Sequence, residues 1–205
     1  MTLDCIALGR SMPAWDAQDF AAIRTTLATS VARLAHAGAD FFVCPDNTAH
    51  LALESVGAPL ALPGLHIVDV LVEQATRDRR RRVGILATKY TMVSDLYPRA
   101  LARHGIDAAI PNDDDRQVVN DIIFGELVEG IFTDQDRSTY ARIIEKLRER
   151  GCDAVALACT EIPLLIDAHS SPLPVLDSTR LLASAAFDVA VGHRPMPLWR
   201  GGATT

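Results

Sequence analysis

Asp46 and Cys159 are the two side chains of this sequence best placed to move protons. Each closes an apolar stretch inside a segment that occurs twice. The first copy reads Gly38-Ala39-Asp40-Phe41-Phe42-Val43-Cys44-Pro45-Asp46-Asn47-Thr48, the second Gly151-Cys152-Asp153-Ala154-Val155-Ala156-Leu157-Ala158-Cys159-Thr160-Glu161. Both have the pattern of a helix stop, a buried strand and a polar turn. The glycines at 38 and 151 stand 113 positions apart, as do Asp40 and Asp153, and at that offset Asp46 falls on Cys159 and Asn47 on Thr160. An ionisable group therefore leaves the carboxyl end of a strand in each half of the chain. In open parallel sheets that edge is where ligands bind. Two proton-handling groups facing one another across a cleft suit a reaction that removes a proton from one face of a carbon and returns it on the other.

Three polar turns follow apolar runs: Cys44-Pro45-Asp46-Asn47-Thr48-Ala49-His50, Thr88-Lys89-Tyr90-Thr91, and Cys159-Thr160-Glu161. Each offers hydroxyl or amide donors at an expected helix N-terminus, a favourable place for a carboxylate. Asn47, Thr48, Thr88, Thr91 and Thr160 are candidates to hold one carboxylate and Lys89 to pair with a second; Glu161 completes the set of substrate-binding candidates. The plainer reading makes the Asn and Thr residues caps and turn formers. A single cysteine after an apolar strand is most often a small buried hydrophobe. His50 reads as a packed helix residue, Cys44 as core, and the arginines at 79–82 as a solvated helix end. The sequence contains neither a GxGxxG fingerprint nor a P-loop, and no carboxylate pair with glycosidase logic is evident.

A formal charge of −6 and a pI near 5.4 argue against nucleic acid or an anionic membrane surface as the main partner. Aromatic residues make up only 5%, so base-stacking platforms are not expected. No apolar run approaches the roughly 18 residues of a membrane span, and the first residues lack a secretory signal pattern. Four cysteines without CxxC spacing suggest neither a disulfide framework nor a zinc site. A cytoplasmic protein with reduced thiols and no metal is expected.

Periodicity and punctuation predict strands at 3–8, 41–44, 66–68, 83–87, 108–110, 154–158 and 173–176. They predict helices at 17–37, 47–56, 70–80, 96–104, 116–129, 138–150 and 179–191, with Gly38 and Gly105 as stops. Thr133-Asp134-Gln135-Asp136 has the form of a capping box. The Pro- and Gly-rich tail from Gly192 is expected to be loosely held. Alternating elements give an α/β fold, two similar lobes with mainly parallel sheets around a central cleft. Residues 1–82 plus 177–205 form the expected first lobe and 83–176 the second.

At these motifs the chain resembles the aspartate/glutamate racemase family of cofactor-independent amino-acid racemases. The matching stretches are 43–50 with its Asn-Thr-Ala-His, 83–96, 122–137, Ala-Cys-Thr-Glu-Ile-Pro at 158–163, and 173–177. The resemblance implies two α/β lobes with the active site between them, an assembly that is often a homodimer, no pyridoxal phosphate or other cofactor, and a small amino acid or dicarboxylate as ligand. Many members carry one cysteine immediately before Asn-Thr and a second before Thr-Glu or Thr-His. Cys159 matches the second. The first position is Asp46, and Cys44 lies two residues too early to replace it. Such chains usually open with a strand and a Gly-rich turn; this one begins Met1-Thr2-Leu3-Asp4, so a shortened N-terminus, an exposed edge strand at 3–8 and a weaker first lobe are expected.

The resemblance implies that Asp46 and Cys159 are the catalytic pair, one taking the α-proton and the other returning it. Their reference pKa values, about 3.9 and 8.5, are poorly matched. Burial and a neighbouring anionic substrate would bring them together by raising that of Asp46. The leading expectation is a racemase or epimerase of a small, acidic amino acid. A related decarboxylase or isomerase of a small dicarboxylate and a non-catalytic amino-acid-binding relative stand as alternatives.

Overall fold

The computed structural model describes residues 1–204, the side chain of Leu8 excepted. Contacts divide the chain into two compact units. One comprises Met1–Cys44, Ala49–His66 and the residues from Ser184 onward; the other comprises Pro45–Thr48 and Ile67–Ala183.

The first unit is mostly helical. Residues 3–7 do not form the expected strand; they run without regular structure into α1 (Leu8–Asp16). An apolar run becomes a strand only with an edge to pair with, and among the described residues nothing pairs with this one. Leu3 and Cys5 are exposed, and Asp4 lies 3.5 Å from Arg33. α2 (Phe20–His36) is capped by Asp19, whose carboxylate accepts from the Ala22 N–H at 3.0 Å. Its apolar stripe puts Val31 against Phe42, Leu53, Leu60 and Leu62, with Leu27 and Leu34 packed alongside. Gly38, at φ 83, ends the helix in the left-handed conformation that glycine adopts without strain.

β1 (Phe42–Val43) pairs in parallel with β2 (Gly64–Leu65). The expected strand at 66–68 thus falls two residues earlier, and Ile67 already belongs to a helix. α3 (Ala49–Leu53) is shorter than expected. The tail is held, not loose. Trp199 bridges Gly64, the Gly64 N–H donating to its carbonyl at 2.8 Å, and Leu60 N–H donates to Arg200 O at 2.9 Å. The Arg200 guanidinium reaches the Leu60 and Ala61 carbonyls. The Trp199 ring stacks on His50 and meets His66 edge-on. The composition that suggests a loose tail is overridden because one large ring finds buried partners and two backbone hydrogen bonds hold Trp199 and Arg200.

The second unit holds a four-stranded, wholly parallel sheet in the order β4-β3-β5-β6, built from β3 (Arg82–Ala87), β4 (Asp107–Ala109), β5 (Ala154–Ala158) and β6 (Val175–Asp177). Every residue of β5 is buried, as parallel strands covered on both faces must be. The helices are α4 (Ile67–Arg77), α5 (Lys89–Met92), α6 (Leu96–Ala102), α7 (Asp113–Gly125), α8 (Asp134–Glu149), α9 (Ile162–Leu165) and α10 (Ser178–Ala190), the last running on into the first unit. A Cβ at Gly84 would lie 2.8 Å from Leu147 Cδ1, so β3 accepts α8 at close range only because residue 84 has no side chain.

The expected capping box opens α8 in modified form. Thr133 accepts from the Asp136 N–H at 3.1 Å, and the Asp136 carboxylate returns to the Thr133 hydroxyl, not to its backbone. The arginine run is not simply a solvated helix end. Asp153 accepts from the N–H groups of Arg81 and Arg82, and the Arg80 guanidinium reaches the Asp153 carbonyl at 3.2 Å. These bonds align the starts of β3 and β5.

Candidate active site

The strand order 4-3-5-6 fixes where a site can form. From β3 the chain moves outward to β4, then returns across β3 to lay down β5 on its other side. The connections leave β3 and β5 in opposite directions, which opens a crevice at their carboxyl ends. Register places Ala87 beside Ala158, so the next residues, Thr88 and Cys159, lie at that crevice. Leu157 is level with Asp177 on β6, which brings Ser178 to the same edge. Pro45–Thr48 belongs to this unit too.

These residues form two clusters. In one, the Thr48 hydroxyl lies 2.9 Å from that of Thr88 and 3.0 Å from that of Thr91, with Thr88 and Thr91 3.5 Å apart. Three hydroxyls so arranged have more acceptor sites than protons, and each can rotate to give its proton to an arriving anion without moving a heavy atom. Thr88 occupies the N-cap position of α5 but makes no side-chain cap bond. The plain capping reading therefore fails for Thr88. The expected role of helix termini also fails at α5 and α9, which have four residues each and carry little dipole.

In the other cluster, Glu161 Oε2 accepts from Cys159 Sγ at 3.0 Å and from Thr160 Oγ1 at 2.6 Å. Burial pushes the Cys159 thiol well above the ordinary thiol range, reinforced by the charge of Glu161, the hydrogen bond to it, and the charge of Asp46. Cys159 is 8% exposed and is a protonated acid at neutral pH. The thiol thus feels the Asp46 carboxylate, which is itself exposed. Of the two candidate proton-handling groups, Cys159 is thus the buried member and Asp46 the exposed one.

Asn47 and Lys89 differ from the other candidates. Asn47 is 2% exposed; its Nδ2 donates to Ser178 Oγ at 2.9 Å and its Oδ1 accepts from Tyr97 Oη at 2.6 Å. The Lys89 backbone N–H donates to Asn120 at 3.0 Å, while its ammonium lies 5.1 Å from the Tyr90 ring centroid. Tyr97 and Ser178 were not apparent from sequence. A fourth polar turn, Asp177-Ser178-Thr179 after β6, could have flagged Ser178; Tyr97 is one aromatic residue on an apolar helix face and gives no such signal. Elsewhere in this unit a cavity of about 510 Å³ is lined by Arg116, Lys146 and Arg150. These cations are already engaged by Asp113, Asp115 and the Ile110 carbonyl, respectively. Among the described residues no group of three or more His, Cys, Asp and Glu is placed to hold a metal ion. No described helix is long and apolar enough to cross a membrane.

The sequence profile of the Asp/Glu/Hydantoin racemase family matches residues 10–186; the chain belongs to this family. It is 26% identical over 162 residues to the broad specificity amino-acid racemase RacX of Bacillus subtilis, covering 79% of this chain and 70% of that one. The crystal structure of a Yersinia pestis protein assigned as an Asp/Glu racemase superposes with a TM-score of 0.82 at 35% identity, covering 93% of this chain and 83% of the other. An aspartate racemase homologue from Pyrococcus horikoshii superposes with a TM-score of 0.72 at 30% identity, covering 82% and 74%. The Bacillus subtilis relative is named as an amino-acid racemase, and racemases are isomerases.

Proposed function

We propose that this protein racemises or epimerises a small, acidic amino acid without a cofactor, using Asp46 and Cys159 at the α-carbon. The observation that carries this reading is the buried Cys159 thiol at the carboxyl edge of a parallel sheet, beside Thr88 in register and in the same unit as the Asp46–Thr48 turn. Thr48, Thr88 and Thr91 turn their protons toward the α-carboxylate. Asp46 takes the α-proton, and the Cys159 thiol delivers its own to the opposite face. The thiolate left behind sits beside Glu161, with Thr160 hydrogen-bonded to the same carboxylate. That arrangement disfavours the thiolate, which takes a proton from solvent while Asp46 releases to solvent the one it took, restoring the resting pair. Lys89 supplies the cation for a side-chain carboxylate.

Incubation of single enantiomers of aspartate and glutamate in deuterated water tests the reading. Solvent deuterium at the α-carbon together with loss of optical activity is expected; neither occurring with any amino acid overturns it. The strong hold on the Cys159 proton also favours a second reading, decarboxylation of a small dicarboxylate, for which one proton donor suffices. Release of carbon dioxide in the same incubations would select it.

A further inference from the structure

Asn47 stands between Asp46 and Thr48 in sequence, and its side chain is the middle of a buried hydrogen-bond chain. Tyr97 Oη donates to Asn47 Oδ1 at 2.6 Å, Asn47 Nδ2 donates to Ser178 Oγ at 2.9 Å, and Ser178 Oγ donates to the Leu157 carbonyl at 3.0 Å. Tyr97 and Ser178 are 0% exposed. The chain joins four pieces of the second unit: α6, the Pro45–Thr48 segment, the first residue of α10, and β5 two residues before Cys159.

We propose that Tyr97 and Ser178 are positioning residues that clamp the Asp46–Thr48 turn to the strand carrying Cys159 and so set the spacing of the two proton-handling groups. The proposal rests on the racemase reading and extends it to residues that touch no substrate. The clamp is directional. Leu157 O can only accept, so the Ser178 proton is committed to it and Ser178 Oγ must accept from Asn47. Asn47 therefore presents its NH₂ to Ser178 and its carbonyl to Tyr97. Turning the amide over would set a carbonyl against a hydroxyl whose proton is already given away. Burial pushes the Tyr97 phenol far above its ordinary range, so it remains a donor at every working pH. Each broken link would leave a buried polar group without a partner, which makes alternative placements of the turn unfavourable.

The test compares Tyr97→Phe and Ser178→Ala with the wild type and with Ile143→Val, a core change of the same unit that leaves the clamp intact. For α-deuterium exchange, kcat should fall about ten- to a hundredfold in both clamp variants, as expected for small misplacement of reacting groups, with KM changed less than about threefold. Ile143→Val should match the wild type, and Ser178→Thr, which keeps the hydroxyl, should recover most of the loss. The second readout needs no turnover: the pH dependence of Cys159 alkylation by iodoacetamide, followed on its own peptide by mass spectrometry. Asp46→Asn should shift that profile to lower pH, and Tyr97→Phe and Ser178→Ala should shift it the same way. Wild-type kcat in the clamp variants, or an alkylation profile in them that coincides with the wild type, overturns the proposal. Failure of the wild type to exchange any amino acid overturns the racemase reading alone, because the alkylation profile still decides whether the clamp holds Asp46 in place.

Discussion

The segment that occurs twice is built twice, and the two copies differ in support. In the first, α2 ends at His36, Gly38 turns at φ 83, and β1 is two residues long with a single strand partner. In the second, α8 ends at Glu149, Gly151 turns at φ 87, and β5 is five residues long, buried throughout and paired on both sides. The helix ends and glycine turns keep the 113-residue offset. What the repeat preserves is the exit from the helix and the polar turn after the strand; the depth of the strand is free to differ. The turns diverge in chemistry as well. The deep strand delivers a buried thiol, the shallow one an exposed carboxylate. Burial raises the thiol, as expected of a poorly solvated acid, but the expected burial of Asp46 is not found, so solvation does not bring the two groups closer in strength.

The largest effect that would break this contrast is loss of the acid. Cys159→Ala should lower α-proton exchange by at least about a thousandfold, at the upper part of the range for removal of a proton-transfer group. The melting temperature should move less than about 5 °C, since one small side chain is lost. An alanine variant with wild-type turnover in deuterated water would reduce Cys159 to a core thiol.

Asp46→Cys should sharpen the contrast. It supplies the cysteine that the family pattern has at this position and should bring the forward and reverse exchange rates closer, within about tenfold of each other. A ratio unchanged from the wild type, measured from each enantiomer separately, would show that Asp46 does not set direction.

A third effect is on stability against pH. The folded-state pKa of Cys159 lies above its unfolded value. Its contribution is therefore fully present below the ordinary thiol range and is lost as pH rises from that range toward the folded value. Denaturant midpoints should fall over that window in the wild type and fall less in Cys159→Ala. Parallel curves for the two proteins would contradict the burial of a protonated thiol.

The next effect reads the strands themselves. Amide protons of Ala154–Ala158 should exchange with solvent about a hundredfold more slowly than those of Phe42 and Val43, because β5 can open only with the whole sheet. Equal protection would mean that two residues with one partner hold as well as five with two. The smallest effect is a control on helix α8 alone. Thr133→Ala should lower stability by about 1 kcal/mol through loss of the cap and leave exchange kinetics unchanged, as checked by urea titration and turnover.

Much of this contrast was legible before any coordinates. The repeat, the exact span of β5, the two glycine stops and the polar turns follow from period, punctuation and spacing. Cys159, Thr160 and Glu161 were marked by an ionisable group at a strand end. Asn47, Thr48, Thr88 and Thr91 were marked as polar residues in turns. Nothing in that pattern distinguishes a hydroxyl that faces its neighbour's hydroxyl from one that caps a helix, so the threonine triangle was invisible. So was the commitment of Asn47 to Tyr97 and Ser178, which lie 50 and 131 residues away in sequence. The failures share one cause. Residues 3–7 have strand composition but no edge to join, and the tail has loop composition but a tryptophan with a buried place to go. Local propensity cannot register either fact, since both depend on partners far along the chain.

The assignment of residues to the two units has a consequence for the order of folding. The first unit is assembled from three stretches, the last of which begins at Ser184, whereas nearly all of the second lies in the unbroken run Ile67–Ala183. The strand pairs of its sheet join residues at most 71 apart in sequence (83 with 154), whereas Trp199 closes on Gly64 across 135. The four-stranded sheet can therefore form from nearby neighbours while the opening helices wait for a partner more than a hundred residues downstream, a contact whose loop closure is slow. Folding in that order sets Cys159 on a finished sheet before the first unit has closed on Trp199.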